Sequence, residues 1–175
     1  MSQALITCRE ENEMDIQMYH NQSRFKLRTS ALIIENNKLL LAKNTNEDDP
    51  TYYTVGGKIE MGESSREAVV REAFEETGIN YTIDRLVYIQ ELFYEATFLP
   101  GASHFHEIIF HYLMKPTAIT DFNNDSYTQS GFKENLYWIP LDEVKNIYTY
   151  PRFLGNQLMD LPDYTEHIIS YENYK

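Results

Sequence analysis

The stretch GKIEMGESSREAVVREAFEETGI, residues 57–79, decides how this chain is read. The pair Gly56-Gly57 breaks the chain just before it, and the stretch then carries start and stop signals for a helix. Ser64 suits the N-cap, and Glu67 three residues on completes a capping box. Gly78 suits a left-handed C-terminal cap. The spacing predicts a helix over Ser65–Thr77. With each residue advancing about 100°, Val69, Val70, Ala73, Phe74 and Thr77 fall on one side. Glu72, Glu75 and Glu76 gather on the other.

Three glutamates on one helix face ordinarily mean a solvated acidic surface. Here they work against the helix. Glu72 repels Glu75 at i,i+3 and Glu76 at i,i+4, each pair costing a few tenths of a kcal/mol. Glu75 and Glu76 also lie near the C-terminal end, where the macrodipole disfavours anions. A divalent cation reverses the sign of each of these contributions. Hard cations such as Mg²⁺ take oxygen ligands: a few carboxylates, water and substrate phosphates.

The same stretch resembles the Nudix box. That pattern is Gly, five residues, Glu, seven residues, Arg-Glu, an aliphatic residue, one residue, Glu-Glu, one residue, Gly and an aliphatic residue. Gly57, Glu63, Arg71, Glu72, Ala73, Glu75, Glu76, Gly78 and Ile79 match it in full spacing. Two departures are Ala73, where a bulkier aliphatic residue is usual, and Val55, where many members carry proline. The strands before the box and Tyr137-Trp138-Ile139-Pro140-Leu141 after it extend the likeness over roughly 25–160.

The resemblance implies an α/β fold, an α/β/α sandwich with a mixed β-sheet. It implies hydrolysis of a nucleoside diphosphate linked to another group X, by attack of water on phosphorus, with Mg²⁺ or Mn²⁺ as cofactor. By position, Glu72, Glu75 and Glu76 bind the metal, with Glu63 and a backbone carbonyl at Gly56 or Gly57 as further ligands. Arg71 holds the carboxylates and the loop. Elementary chemistry agrees. Phosphoryl transfer asks mainly for positioning and charge neutralisation, and metal ions polarise phosphoryl oxygens and acidify the attacking water.

The general base is either a box glutamate or a carboxylate from elsewhere: Glu91, Glu95 or Glu107. Glu107 lies in HFHEIIFHY, with apolar residues on both faces. That placement predicts burial and a raised pKa, as a base working near neutrality needs; a buried, hydrogen-bonded structural Glu is the equal alternative. The candidate catalytic set is thus Arg71, Glu72, Glu75, Glu76 and Glu107. His104 and His106 share a strand face and could hold a transition metal, though a surface pair is the commoner meaning. Tyr52 and Tyr53 are candidate base-stacking residues, Lys58 and Arg66 candidate phosphate contacts, and Trp138 reads as core.

The box reports the diphosphate and leaves X open: a nucleoside triphosphate, a nucleotide sugar or a dinucleoside polyphosphate. In the family, a proline some fifteen residues past the box accompanies ADP-ribose hydrolysis. Here that neighbourhood is Phe93-Tyr94-Glu95, with Pro100 the next proline; a tyrosine near that distance accompanies dinucleoside polyphosphate hydrolysis. A non-catalytic nucleotide sensor on the same fold is the competing reading, but such a protein is expected to lose box carboxylates. An interaction module built on the chain ends is a third.

Outward from the box, Phe25–Ile34, Lys38–Ala42, Leu86–Phe98, His106–Met114 and Asn135–Ile139 read as strands. Glu35-Asn36-Asn37 and Pro100-Gly101 read as turns, and Asn44–Pro50 and Thr120–Gly131 as loops. Leu141–Ile147 and Phe153–Leu161 read as short helices. Residues 1–20 form an N-terminal extension, and 21–175 one domain. The chain has 175 residues, 15 Lys+Arg against 27 Asp+Glu, and a net charge of −12. That argues against an electrostatic grip on nucleic acid or an anionic membrane, since both need a basic face. It also poses a puzzle: something other than net charge must attract a phosphate. Cys8 is the one cysteine, so no intramolecular disulfide forms. The N-terminus lacks the basic start and apolar stretch of a signal peptide, and no apolar run approaches the ~20 residues of a membrane span. The expected setting is cytoplasmic, the expected partner a nucleotide-type small molecule, and the oligomeric state open, a homodimer included.

Overall fold

The computed structural model of the chain describes residues 15–44, 50–96, 103–120, 126–127 and 133–173. Cys8, most of the 44–50 loop, the Pro100-Gly101 turn and most of the Thr120–Gly131 loop lie outside the described residues. The strands are β1 Gln17–His20, β2 Ser23–Leu32, β3 Ile34–Glu35, β4 Lys38–Asn44, β5 Tyr52–Thr54, β6 Ile83–Glu95, β7 His104–Met114, β8 Ser126–Tyr127, β9 Lys133–Pro140, β10 Thr149–Tyr150 and β11 Glu166–Asn173. The helices are α1, Ser65–Thr77, and the short α2, Leu154–Gln157.

Two mixed sheets carry the fold, in strand orders β1-β2-β7-β6-β11 and β10-β5-β4-β9-β8, with β3 paired to β4. The β2–β7, β6–β11 and β5–β10 pairs are parallel. The β3–β4 turn matches expectation: Asn36 (φ 48°) and Asn37 (φ 62°) are both left-handed, which asparagine tolerates better than most side chains. The core holds Ala31, Ile33, Leu40, Val69 and Ala73 under α1, and Leu32, Leu39, Leu41, Tyr88 and Val144 in a second cluster. Among the described residues no helix is long and apolar enough to cross a membrane.

The α1 helix spans the predicted residues with both predicted caps. Ser64 and Glu67 form the capping box, and Gly78 is left-handed at φ 72°. Val69 and Ala73 are fully buried, whereas Phe74, about 100° on from Ala73, turns to solvent. The two later helices shrink. Leu141–Ile147 contains only a 3₁₀ turn at Val144–Asn146, and Phe153–Leu161 only α2; neither has a side-chain cap. Their apolar residues seat individual side chains against the second cluster rather than forming a helical stripe. Strands β1, β5, β8, β10 and β11 go beyond the sequence expectation. Most are two to four residues long, below the length at which periodicity speaks, and the longer β11 leaves Ile169 and Tyr171 exposed.

Candidate active site

The glycine pair is pinned to β2 before the helix begins. Ala31 N–H donates to Val55 O at 2.8 Å, Thr29 N–H to Gly57 O at 2.9 Å, and Ile59 N–H to Leu27 O at 3.0 Å. Residues 55–59 thus run along β2 as an extra edge. Gly56 adopts φ 139°, and a Cβ there would sit 2.4 Å from the Thr29 carbonyl oxygen, so no other residue fits. A Cβ on Gly57 would lie 2.3 Å from Glu72 Oε1. The missing side chain is therefore the space the Glu72 carboxylate occupies.

Arg71 organises the rest. Its Nε and Nη2 donate to the two oxygens of Glu63, both at 2.9 Å, a bidentate pair. Nη1 donates to Glu72 at 2.9 Å and Glu75 at 3.2 Å, and Nη2 also reaches the Lys58 carbonyl at 3.1 Å. Glu76 turns toward the loop and accepts from the Gly56 N–H at 3.0 Å. The structure so brings together Gly57, Glu63, Arg71, Glu72, Glu75 and Glu76. The Arg71 hydrogen bonds hold the Glu63 carboxyl below the usual carboxylate range. Burial instead pushes Glu72 up, against the pull of Arg71.

These residues fit a hard divalent cation. Three carboxylates share one guanidinium and a fourth, Glu76, stands on the glycine loop beside them; all the available ligand atoms are oxygens, and the Glu72 carboxylate sits in a cradle that a Cβ would fill. Among the described residues no three His, Cys, Asp or Glu side chains encircle an ion as they stand, because Arg71 spreads Glu63, Glu72 and Glu75 around itself. The histidine pair does not converge: His104 faces Glu95 at 3.4 Å and His106 faces Glu91 at 3.9 Å.

Glu107 belongs to a different cluster. It is fully buried, as expected, but the expected upward pKa shift is reversed. Burial alone would raise it; Arg28 and Lys26 outweigh burial and hold the carboxyl below its ordinary range. Lys26, its register partner across β2–β7, donates to Glu107 Oε1 at 2.7 Å. Tyr94 donates at 2.9 Å, Tyr150 reaches Oε2 from the other sheet, and Arg28 Nη1 stands 3.8 Å away. Burial in turn lowers Lys26 to about 8. Sequence reasoning missed Lys26 and Arg28. The signal is present in the chain, for Arg24, Lys26 and Arg28 alternate along one face of a strand that runs into the apolar Ala31-Leu32-Ile33.

Other candidates have structural partners. Tyr52 packs on Tyr137 under Lys43, and Tyr53 on Tyr150. Lys58 pairs with Asp15 at 2.5 Å. Trp138 packs beside the first core cluster and donates to Thr120 O at 3.0 Å. Arg66 lines a cavity of about 620 Å³ with Glu63, Glu67, Val70, Arg71 and Tyr81, beside the opposite flank of α1 from Glu72 and Glu76.

A model of the NUDIX domain matches residues 24–158. Among solved structures, a mutator MutT protein from Bacillus halodurans aligns with TM-score 0.59 at 21% identity, covering 85% of this chain and 90% of that one. A MutT protein from Methanosarcina mazei aligns with TM-score 0.53 at 22% identity, covering 75% and 90%. An ADP-ribose pyrophosphatase from Streptococcus suis aligns with TM-score 0.52 at 18% identity, covering 83% and 98%. At these identities the structures speak for the fold. A comparison with curated proteins finds no match. The matched domain, the fold and the carboxylate-bearing helix beside its glycine loop agree: the chain belongs to the Nudix hydrolases, enzymes that act on phosphoric anhydrides.

Proposed function

We propose that this chain is a Mg²⁺-dependent diphosphohydrolase that cleaves the diphosphate linkage of a nucleoside diphosphate joined to a group X. The observation that carries the reading is the Glu72 carboxylate seated in the gap left by Gly57, with Glu76 beside it on the Gly56 N–H. Glu63, Glu72, Glu75 and Glu76 with the Gly57 carbonyl would hold the ion. Bound there, Mg²⁺ supplies charge neutralisation for the phosphates and a more acidic water. Arg71 bonds three of the carboxylates at once and so keeps them together beside the glycine loop. Glu72 is a box carboxylate that burial pushes up, the direction a base near neutral pH needs. Glu107 already accepts from Lys26, Tyr94 and Tyr150, which supports a box glutamate as the base.

The test is a panel of nucleoside triphosphates, nucleotide sugars and dinucleoside polyphosphates incubated with the purified protein and Mg²⁺. Release of phosphate, pyrophosphate or a nucleoside monophosphate is expected from at least one class, and none when the metal is chelated. Absence of turnover on every class by a folded protein that takes up Mg²⁺ would leave the sensor reading in its place.

A further inference from the structure

The hydrolase reading places carboxylates and metal but no protein cation on the phosphates themselves. We propose that Arg28 supplies that cation: its guanidinium grips phosphate oxygens of the substrate, and Glu107 is the positioning residue that aims it. This rests on the reading above.

Charge in the buried cluster does not balance. Lys26 and Arg28 flank one carboxylate, Glu107, so the cluster carries one positive charge in excess in a chain whose net charge is −12. Lys26 alone balances Glu107, at 2.7 Å, and two tyrosine hydroxyls complete the acceptor. Arg28 is the surplus partner. Its nearest nitrogen to Glu107 stays at 3.8 Å, beyond hydrogen-bond reach, and no side-chain hydrogen bond of its guanidinium is found among the described residues. A guanidinium carries five N–H donors in a fixed fork, and leaving them unfilled in a largely closed site is costly. The side chain is 25% exposed, so it is open in part to solvent and to a ligand. The Tyr150 ring, 5.7 Å from the guanidinium carbon, backs the fork.

The fork also lies next to the box. Residue 29, next along β2, binds the Gly57 carbonyl, and the Glu72 carboxylate occupies the Gly57 gap. Glu72 and Arg28 are near enough for each charge to stabilise the other. A diphosphate lying between them would meet box carboxylates, through the ion, on one side and the fork on the other. Two parallel N–H groups match two phosphate oxygens. The arrangement answers the charge puzzle: the anion meets a local surplus cation despite an acidic surface.

A purely structural Arg28 makes a different forecast. Removing Arg28 leaves Lys26 and Glu107 as a balanced pair, so R28A should fold. The experiment titrates the full-length wild type, R28A and R28K with inorganic pyrophosphate in the presence of Mg²⁺, and separately with Mg²⁺ alone. The expected result is a melting temperature and Mg²⁺ uptake like the wild type, with pyrophosphate affinity lower by about tenfold or more. R28K should recover part of the loss, and free guanidinium ion should restore R28A but not the wild type. On whichever nucleotide the panel identifies, R28A should raise KM more than it lowers kcat, and E107Q should weaken pyrophosphate binding in the same sense. R28A binding pyrophosphate as tightly as the wild type overturns the proposal, as does a wild type that binds none. A wild type that binds Mg²⁺-pyrophosphate yet hydrolyses no nucleotide removes the hydrolase reading alone, and the comparison with R28A still decides the role of Arg28.

Discussion

Two ion clusters sit on either side of the glycine loop, with opposite stoichiometry. Around Arg71, one guanidinium serves Glu63, Glu72 and Glu75 while Glu76 stands beside them, and the Glu75 side chain is 55% exposed. Around Glu107, one fully buried carboxylate serves Lys26 and Arg28 and is closed in by two tyrosines. The first is anion-rich and open, the second cation-rich and closed. An open excess of carboxylate is stable because water screens it, and it waits for a cation. A closed excess of cation is expensive and is kept where an anion completes it. Side by side, the two suit a ligand that is itself an anion bridged by a metal.

Removing charge from the open cluster should have the largest effect, and on activity. Glu75→Gln or Glu76→Gln should lower turnover about a thousandfold, since each asks the ion to give up a charged ligand. After Glu76→Gln the amide oxygen can still accept from the Gly56 N–H, so the fold should persist. Without metal each variant should be level with the wild type or more stable by a few tenths of a kcal/mol, as like charges are relieved. Steady-state rates with Mg²⁺ and thermal melts without it check this; wild-type rates in both variants would break the assignment of the open cluster.

The closed cluster should answer in stability. Glu107→Gln leaves two cations facing a neutral amide and should cost about 3 kcal/mol, tempered because Lys26, at about 8, can shed its proton. Glu63→Gln removes a partner of similar hydrogen-bond count from the half-open cluster and should cost nearer 1 kcal/mol. Urea unfolding of both measures the difference, and equal losses would mean that burial does not distinguish the two clusters.

How much of this is legible in the chain follows from where each signal lives. The open cluster is local: Glu63 to Glu76 lie on one loop and helix, capped by Ser64 and Gly78, so spacing alone gathers them. The closed cluster is assembled from β2, β6, β7 and β10, over sequence separations of 81 for Lys26–Glu107 and 43 for Glu107–Tyr150. Nothing local announces such a meeting. Burial of Glu107 can be read from its apolar neighbours, but the direction of its pKa depends on partners in a parallel strand whose register no short pattern encodes. The helices expected at Leu141–Ile147 and Phe153–Leu161 shrink for a related reason: their apolar residues serve a core contact rather than a helical face, and without capping side chains only single turns remain.

The smallest expected effect is a proton count, and it separates the clusters most cleanly. Burial raises Glu72, so in the metal-free protein it keeps its proton to a higher pH than an ordinary carboxyl. Folding then takes up a proton in mild acid, and this group's contribution to stability declines as pH rises through its raised value. Glu107 has the opposite sign. Its lowered value makes its contribution present above the ordinary carboxylate pKa and lost only as pH falls through the folded value. A cation bound at the open cluster favours the ionised form of Glu72. Mg²⁺ uptake should therefore release more proton in mildly acidic buffer than near neutrality, while Glu107 contributes nothing at either pH. Calorimetric titration in two buffers of different ionisation enthalpy reads this directly. Release that survives Glu72→Gln would place the titrating group elsewhere; release abolished by that substitution ties the buried carboxylate of the open cluster to the ion.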